Sequence, residues 1–310
     1  MTALICGSVA YDNIMVFEDS FKNHILPDKI HILNVAFLVP QLRREFGGCA
    51  ANIAYNLRLL GENPLPMATV GQDFGPYREW LEKKSIHIGH IRVLDDVFTA
   101  QAFITTDLDD NQITAFHPGA MNSAELNKVS DATGVKIGMI SPDGRNGMIE
   151  HAAQFAKARI PFVFDPGQGL PMFDGKDLRR FIDQCTWVTV NDYEWQLLKD
   201  RTGWDVADVT KRAKALIVTR GAEGSTIYTA EDEFEIPTAK PKAVEDPTGC
   251  GDAYRAGLLY GLLRDLDWET TGRIASLMGA LKIECHGTQN HSFTLAEFKR
   301  RYKSSFGRSM

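Results

Sequence analysis

A glycine-rich stretch near the C-terminus has the residue types needed to transfer a phosphoryl group. Residues 245–257 read Glu-Asp-Pro-Thr-Gly-Cys-Gly-Asp-Ala-Tyr-Arg-Ala-Gly. Pro247 favours an extended chain before it, Thr248 is the expected helix N-cap, and a helical spacing of apolar residues begins at Ala253. The free amide hydrogens at the start of such a helix attract anions.

One carboxylate stands among the glycines of that helix start. Gly249 and Gly251 permit backbone angles that other residues resist, and together with Cys250 they offer amides to a phosphoryl group. Asp252 would repel a phosphate, so its presence makes sense if it accepts the proton of a hydroxyl that attacks the phosphorus. Alternatively, Asp252 only favours the positive end of the helix dipole, and the residue types alone leave both interpretations open.

The composition is that of an ordinary globular protein. The chain has 310 residues, of which 44% are hydrophobic and 24% are charged, and its net charge is −6. That charge argues against nucleic acid or a membrane surface as a partner, and no segment resembles a signal peptide or a membrane span. The five cysteines lack CxxC spacing, which favours a reduced, cytoplasmic location without a zinc site.

Two N-terminal segments could bring an acceptor hydroxyl to this carboxylate. The apolar run 3–10 predicts a buried first strand, which would place Asp12 at its carboxyl end, where ligands bind in α/β sheets. Gly47 and Gly48 then open a helix, and its small first turn lets a ligand approach the backbone beside Asn52. A turn residue at Asp12 and tight helix packing at the glycines are the alternatives.

Strands and helices alternate through most of the second half of the chain. This alternation indicates an α/β fold with a mostly parallel sheet covered on both faces, and a hairpin is expected at the edge of that sheet. The predicted strands, including the two of the hairpin, lie at 135–140, 161–165, 187–190, 216–219, 225–229 and 233–236.

A small β lid is predicted where polar and apolar residues alternate. Its segments are about 14–46 and 88–117, and the whole chain, 1–310, is expected to form one domain with this lid. Phe103 and Phe116 lie in its strands, where aromatic residues usually serve packing.

Polar clusters follow several strands at the predicted binding edge. Asn191 and Glu194 could hold a hydrated Mg²⁺ from the first turn of a helix, although by pattern alone an ordinary capping box is favoured. The other groups at this edge are Gln168, which could reach a substrate, and Thr219, Gly221 and Gly224, which suit the approach of a triphosphate.

The stretch 245–257 resembles the C-terminal signature of the ribokinase-like (PfkB) family of carbohydrate and nucleoside kinases, with Cys250 where that signature has Ala or Gly. The segment 47–57 resembles the N-terminal signature of the same family. The resemblance implies a three-layer α/β/α sandwich with a β-sheet lid, and a phosphotransferase that uses ATP and Mg²⁺. It implies these roles: Asp252 as base; Asp12, Gly47, Gly48 and Asn52 on sugar hydroxyls; Asn191 and Glu194 on magnesium and phosphate; Thr219, Gly221 and Gly224 on the nucleotide.

Over almost the whole chain, the sequence is similar to the bacterial adenosine kinases of this family. The similar stretches include Ser8, Phe103 and 116–121. This similarity implies transfer of the γ-phosphate of ATP to the 5′-hydroxyl of adenosine, with the purine held between Phe103 and Phe116. It also implies a homodimer formed through the lid.

The specificity and two other functions stay open. Gly169 and Met172 stand where the similar enzymes have Gln and Arg, which leaves room for inosine or guanosine as acceptors. A sugar kinase of the same family is disfavoured because two aromatic residues suit a flat base, and a non-catalytic adenylate-binding regulator is disfavoured because Asp252 is present. The loop 287–289, Gly-Thr-Gln, is a candidate for binding a monovalent cation such as K⁺.

Overall fold

Thirteen strands and nine α-helices lie in the part of the chain that the computed structural model describes, residues 2–25, 31–32, 34–109 and 111–310. The strands are β1 Thr2–Cys6, β2 Ala10–Val16, β3 Gln41–Gly47, β4 Asn63–Gly71, β5 Ile91–Leu94, β6 Ala100–Thr106, β7 Gln112–His117, β8 Ile137–Ile140, β9 Phe162–Phe164, β10 Trp187–Asn191, β11 Ala215–Thr219, β12 Ser225–Tyr228 and β13 Glu233–Ile236. The helices are α1 Cys49–Leu59, α2 Gly75–Lys83, α3 Arg145–Ala158, α4 Gly175–Gln184, α5 Asp192–Thr202, α6 Val206–Thr210, α7 Cys250–Leu263, α8 Trp268–Ile283 and α9 Leu295–Phe306.

Nine of these strands form one large sheet in the order β13-β12-β11-β10-β9-β8-β1-β4-β5. The strands from β11 to β5 pair in parallel, and β12 and β13 add an antiparallel hairpin at one edge. The predicted mostly parallel sheet with an edge hairpin is therefore confirmed.

Apolar side chains alternate between the two faces of the large sheet. In β1, Ala3 and Ile5 join a core cluster with α1, α2, α7, α8 and α9, whereas Leu4 and Cys6 join a second cluster with α3, α4 and α5. Both faces are thus buried beneath helices, which is the three-layer α/β/α arrangement. Each large aliphatic side chain buried this way contributes roughly 1.5–3 kcal/mol to folding.

A second, small sheet has the strand order β3-β2-β6-β7, in which β2 and β6 are parallel and the outer pairs are antiparallel. Two predictions about it are wrong. The first strand of the chain ends at Cys6, and Asp12 lies in β2 of the small sheet, because the chain leaves the large sheet at 7–9. The segment around β5 pairs with β4 in the large sheet, so it is not part of the small one.

Parts of the predicted lid segments, residues 26–30, 33 and 110, lie outside the described residues. All five cysteines are free thiols. None of the helices in the described part of the chain has the length and apolar character needed to span a bilayer.

Candidate active site

Asp252 lies in the first turn of α7. The helix begins at Cys250, and its N-cap is Gly249, whose φ of 78° is in the left-handed region that favours glycine. The prediction that Thr248 caps this helix is therefore wrong. The Thr248 amide instead donates to Asp246 Oδ1 at 2.8 Å, which closes a turn before the helix.

The amides of this turn form the candidate anion site. The Cys250 amide donates to the Pro247 carbonyl oxygen at 3.1 Å, so this amide is used within the turn. The amides of Gly251 and Asp252 have no acceptor among the described residues, as expected at a helix start. An anion placed at the N-terminus of α7 would accept hydrogen bonds from these two groups.

Burial sets the charge state of Asp252. Loss of hydration raises the pKa of its carboxyl group to about 6. Asn52, Arg255 and Cys49 oppose that rise in pKa, and the negative charge of Asp165 adds to it. Asn52 Nδ2 donates to Asp252 Oδ2 at 2.8 Å, and the Arg255 guanidinium lies nearby. A carboxyl group with this pKa is ionised at neutral pH and can accept a proton from a hydroxyl.

Gln289 holds Asn52 in position. Its Nε2 donates to Asn52 Oδ1 at 2.9 Å and to the Tyr77 hydroxyl at 2.6 Å, and its Oε1 accepts from Trp80 Nε1 at 2.9 Å. The Tyr77 hydroxyl in turn donates to the Gly47 carbonyl oxygen at 2.8 Å. This network joins Asp252 to the glycine pair that opens α1.

Asp12 lies directly against that glycine pair. A Cβ added at Gly47 would be 2.5 Å from Asp12 Oδ2, and one added at Gly48, where φ is 89°, would collide with the backbone of 8–10. Burial raises the pKa of the Asp12 carboxyl to about 6, and the charges of Glu45 and Asp246 add to this rise. The structure therefore brings Asp12, Gly47, Gly48 and Asn52 together, as the sequence predicted.

Of the other predicted substrate residues, Ser8 is used within the protein and Gln168 is exposed. The Ser8 hydroxyl accepts a hydrogen bond from the Cys49 amide at 3.1 Å, so it satisfies the first turn of α1. Gln168 lies exposed in the short 3₁₀ helix Gly167–Met172, beyond the end of β9. Its side chain is free to meet a ligand.

The strand register separates the two predicted aromatic residues. Asp12 pairs with Ala102, which pairs with Phe116, so Phe116 lies on the same face of the small sheet as Asp12. Phe103 pairs with Asn13 and therefore lies on the opposite face. The predicted sandwich of one purine between both rings does not fit a single chain, because the strand register puts Phe116 on the face of Asp12 and Phe103 on the opposite face.

A buried ion pair behind Asp252 escaped the sequence analysis. Arg255 Nε and Nη2 donate to the two carboxylate oxygens of Asp165 at 2.8 and 2.9 Å, and both side chains are almost fully buried. Arg255 also lies 3.8 Å from Glu194 Oε2. An arginine three positions after Asp252, in an otherwise apolar helix, was the available signal that a buried partner exists.

Asn191 and Glu194 form a capping box at the start of α5. Asn191 Oδ1 accepts from the Glu194 amide at 2.7 Å, and Glu194 Oε2 accepts from the Asn191 amide at 2.8 Å. Burial raises the pKa of Glu194, and its Oε1 has no hydrogen bond from the described residues. The described residues hold no group of three or more His, Cys, Asp or Glu side chains placed to bind a metal.

The predicted nucleotide loop follows β11. Thr219 Oγ1 donates to the Val190 carbonyl oxygen at 3.4 Å, and Gly221 has φ 53° with open space on its Cβ side. Gly224 also has a packing role in the edge hairpin, and its contact with the nucleotide stays a prediction. A Cβ there would collide with the Ile236 carbonyl oxygen, so this glycine permits the close packing of the edge hairpin.

The fold and the site together define a class of enzyme. A large, mostly parallel sheet, a small second sheet and helices on both faces form the ribokinase-like α/β fold. The family model for pfkB family carbohydrate kinases matches residues 12–294, and the chain belongs to that family. It is a phosphotransferase that acts on a hydroxyl group.

Similar proteins carry the name nucleoside kinase. The nucleoside kinase of Methanothermobacter thermautotrophicus is 32% identical over 304 residues, which cover 96% of this chain and 97% of that protein. The solved structure of Burkholderia thailandensis nucleoside kinase in complex with inosine is 50% identical, covers 99% of both chains and has a TM-score of 0.91. Its complex with ADP-inosine is 52% identical with a TM-score of 0.88, over 99% of this chain and 97% of that one.

Proposed function

We propose that this chain is an ATP-dependent purine nucleoside kinase that phosphorylates the 5′-hydroxyl of adenosine and inosine. The observation that carries the proposal is the 2.8 Å hydrogen bond from Asn52 to Asp252, which holds a half-buried carboxylate beside the free amides at the start of α7. The names of the similar proteins from Methanothermobacter and Burkholderia, and the inosine bound to the latter, support a nucleoside as acceptor.

Transfer at this site uses one base and one anion-binding surface. Asp252 takes the proton of the 5′-hydroxyl while that oxygen bonds to the γ-phosphorus of ATP, and the bond to the bridging oxygen breaks so that ADP leaves. The amides of Gly251 and Asp252 donate to the transferring group, where negative charge must be stabilised. Asp12 and Asn52 hold ribose hydroxyls and so orient the acceptor.

Phe116 is the proposed platform for the purine. It shares a face of the small sheet with Asp12, and Ile14 and Ile104 extend the apolar surface of that face. A ribose held by Asp12 would present its base to this surface. Gly169 and Met172 offer no side-chain hydrogen bond to the purine edge, which supports acceptance of both 6-amino and 6-oxo purines.

Magnesium and the ATP phosphates are proposed to lie between Glu194 and the start of α7. The Glu194 carboxylate would hold the ion, because Mg²⁺ commonly takes one or two carboxylates from the protein and completes its shell with water and phosphate. When bound, it would neutralise charge on the phosphates. Thr219 and Gly221 are proposed to contact the nucleotide in the loop after β11.

A homodimer is proposed through the face of the small sheet opposite to Asp12. Leu42, Phe103 and Ile113 share that face and are 68%, 41% and 44% exposed. Apolar side chains of this size on one sheet face favour association. Light scattering should give the mass of two chains, and Leu42→Lys should shift it to that of one chain.

The test of the proposed function is ATP consumption with Mg²⁺ across adenosine, inosine, guanosine, cytidine, ribose and fructose 6-phosphate. Turnover confined to purine nucleosides is the expected result, and the adenosine-to-inosine ratio measures the effect of Gly169 and Met172. Turnover only with sugars would replace the nucleoside by a sugar acceptor. Absence of turnover with every acceptor would favour the non-catalytic adenylate-binding regulator.

A further inference from the structure

Lys282, in the last turn of α8, is a fully buried cation close to the active site. Its side chain has 0% exposure. Its Nζ donates to the carbonyl oxygens of Asp246 at 2.7 Å and Cys285 at 3.0 Å, and lies 3.9 Å from Asp246 Oδ2. Three oxygens thus surround one buried ammonium group. A buried charge is costly unless it is paired and hydrogen-bonded, and these three oxygens meet that requirement. The presence of a charged group at this buried position still requires an explanation.

The Asp246 carboxylate extends this cluster to two loops. Its Oδ1 accepts from the Thr248 amide at 2.8 Å, and its Oδ2 accepts from the Gly287 amide at 2.9 Å. One loop, 246–249, leads into the anion-binding turn of α7. The other, 285–289, follows α8. Lys282 and Asp246 therefore join both loops through a single ion pair and its hydrogen bonds.

Each loop ends in groups of the candidate active site. A Cβ added at Gly249 would lie 3.0 Å from Thr288 Cγ2, so the second loop packs directly against the N-cap of α7. Gln289, one residue further, holds Asn52, which donates to Asp252. A displacement of either loop would move both the amides and the donor to the base.

We propose that the ammonium group of Lys282 takes the place of a bound monovalent cation. It neutralises Asp246, and it holds the anion-binding turn and the loop 285–289 in the geometry for phosphoryl transfer. Lys282 is a positioning residue, and the proposal rests on the function proposed for the α7 turn. The K⁺ predicted at 287–289 is then not needed. The Gly287 amide, the Thr288 hydroxyl and the Gln289 side chain all bond to protein groups.

The first experiment uses the wild-type protein. Turnover of the best nucleoside is measured with Mg²⁺ and ATP, with tetramethylammonium, Na⁺ or K⁺ as the monovalent ion at equal ionic strength. We expect kcat to agree within about twofold across these ions, because the positive charge is built into the chain. Strong activation by K⁺ would overturn the proposal.

The second experiment compares Lys282→Met with Lys303→Met, a change of an exposed lysine on α9. Lys282→Met should lower kcat by on the order of a hundredfold through misplacement of the reacting groups, with a small change in the KM for the nucleoside. NH₄⁺ or K⁺ should restore at least part of that loss, and Lys303→Met should behave as wild type. A loss that no cation restores would show a merely structural lysine and refute the proposal.

A thermal measurement tests the same point without turnover. The space left by Lys282→Met keeps three oxygens directed at one position, so K⁺ should raise the Tm of this variant relative to tetramethylammonium, while the Tm of the wild type stays constant. An equal response in both proteins would contradict the proposal. If the wild type phosphorylated no acceptor, the proposed function would fail, whereas this measurement would still decide the role of Lys282.

Discussion

The pH dependence of turnover should report the carboxyl group of Asp252. Its pKa is raised by burial to about 6, so about 90% of the group is ionised at pH 7 and about 10% at pH 5. The Asp12 carboxyl titrates in the same range, because burial raises its pKa to about 6 as well. In Asp12→Asn, kcat should therefore fall below pH 6 by about tenfold per pH unit, as a single proton reaches the base.

Removing the hydrogen bond to the base should shift this titration upward. In Asn52→Leu, the ionised form of Asp252 loses the donor that now lies at 2.8 Å. A hydrogen bond to a charged group contributes about 1.5–3 kcal/mol, which corresponds to about one to two pH units. In the Asp12→Asn background, the midpoint of the acid limb should therefore move from near 6 to between about 7 and 8.

The assay measures initial rates of ADP formation at saturating nucleoside, ATP and Mg²⁺ across the acid and neutral range, with circular dichroism to verify folding. Asp252→Asn serves as the reference and should lose about 10²–10⁴ in kcat, while nucleoside affinity changes little. An unchanged midpoint in the Asn52→Leu double variant would refute the pKa argument. Near-normal turnover in Asp252→Asn would refute the assignment of the base.

Three further predictions concern the purine platform, the buried ion pair and acid stability. Phe116→Ala should raise the KM for nucleosides about tenfold, because stacking on the purine is lost. Phe103→Ala, on the other face of the small sheet, should change this KM by less than about twofold. Equal effects of the two variants would contradict the assignment of the two rings to opposite faces. Arg255→Met leaves Asp165 buried without its partner, so denaturant unfolding should show a loss of about 3–5 kcal/mol, and a stability equal to wild type would be inconsistent with the ion pair. Burial lowers the pKa of His291 to about 4, so on acidification the unfolded chain binds a proton at this residue before the folded chain does. The free energy of unfolding should therefore fall by up to about 3 kcal/mol as the pH drops from about 6.5 to 4, and His291→Gln should remove that part of the loss.

Local pattern was sufficient to predict most of the large sheet and part of the site. The buried strands and intervening helices follow from apolar runs, and the glycines at α1 and α7 mark helix starts because few other residues adopt their backbone angles. A carboxylate beside free amides made Asp252 a candidate base, but these residue types also suit a helix-dipole role, and only the resemblance to the family signature favoured the base. These features depend on residues close together in the chain.

Features that depend on tertiary pairing could not be predicted. Nothing near Gln289 indicates that it holds Asn52, and Asp165 gives no sign that Arg255 neutralises it. The faces of Phe103 and Phe116 relative to Asp12 follow from the registers of β6 against β2 and of β7 against β6, which the alternation within each strand leaves undetermined. The chain also passes from β1 of the large sheet directly into β2 of the small sheet. The apolar run 3–10 continues across this change of sheet and therefore does not indicate it.

The hydrogen bonds around Asp252 join segments that are synthesised far apart in time. Asn52 is 200 positions before Asp252 and 237 before Gln289. At roughly 5–20 residues per second, a ribosome needs roughly ten to fifty seconds to make the later partners. During that interval the small-residue face of α1 lacks α7, which covers it in the finished protein. The candidate active site is therefore among the last parts of the growing chain to be completed.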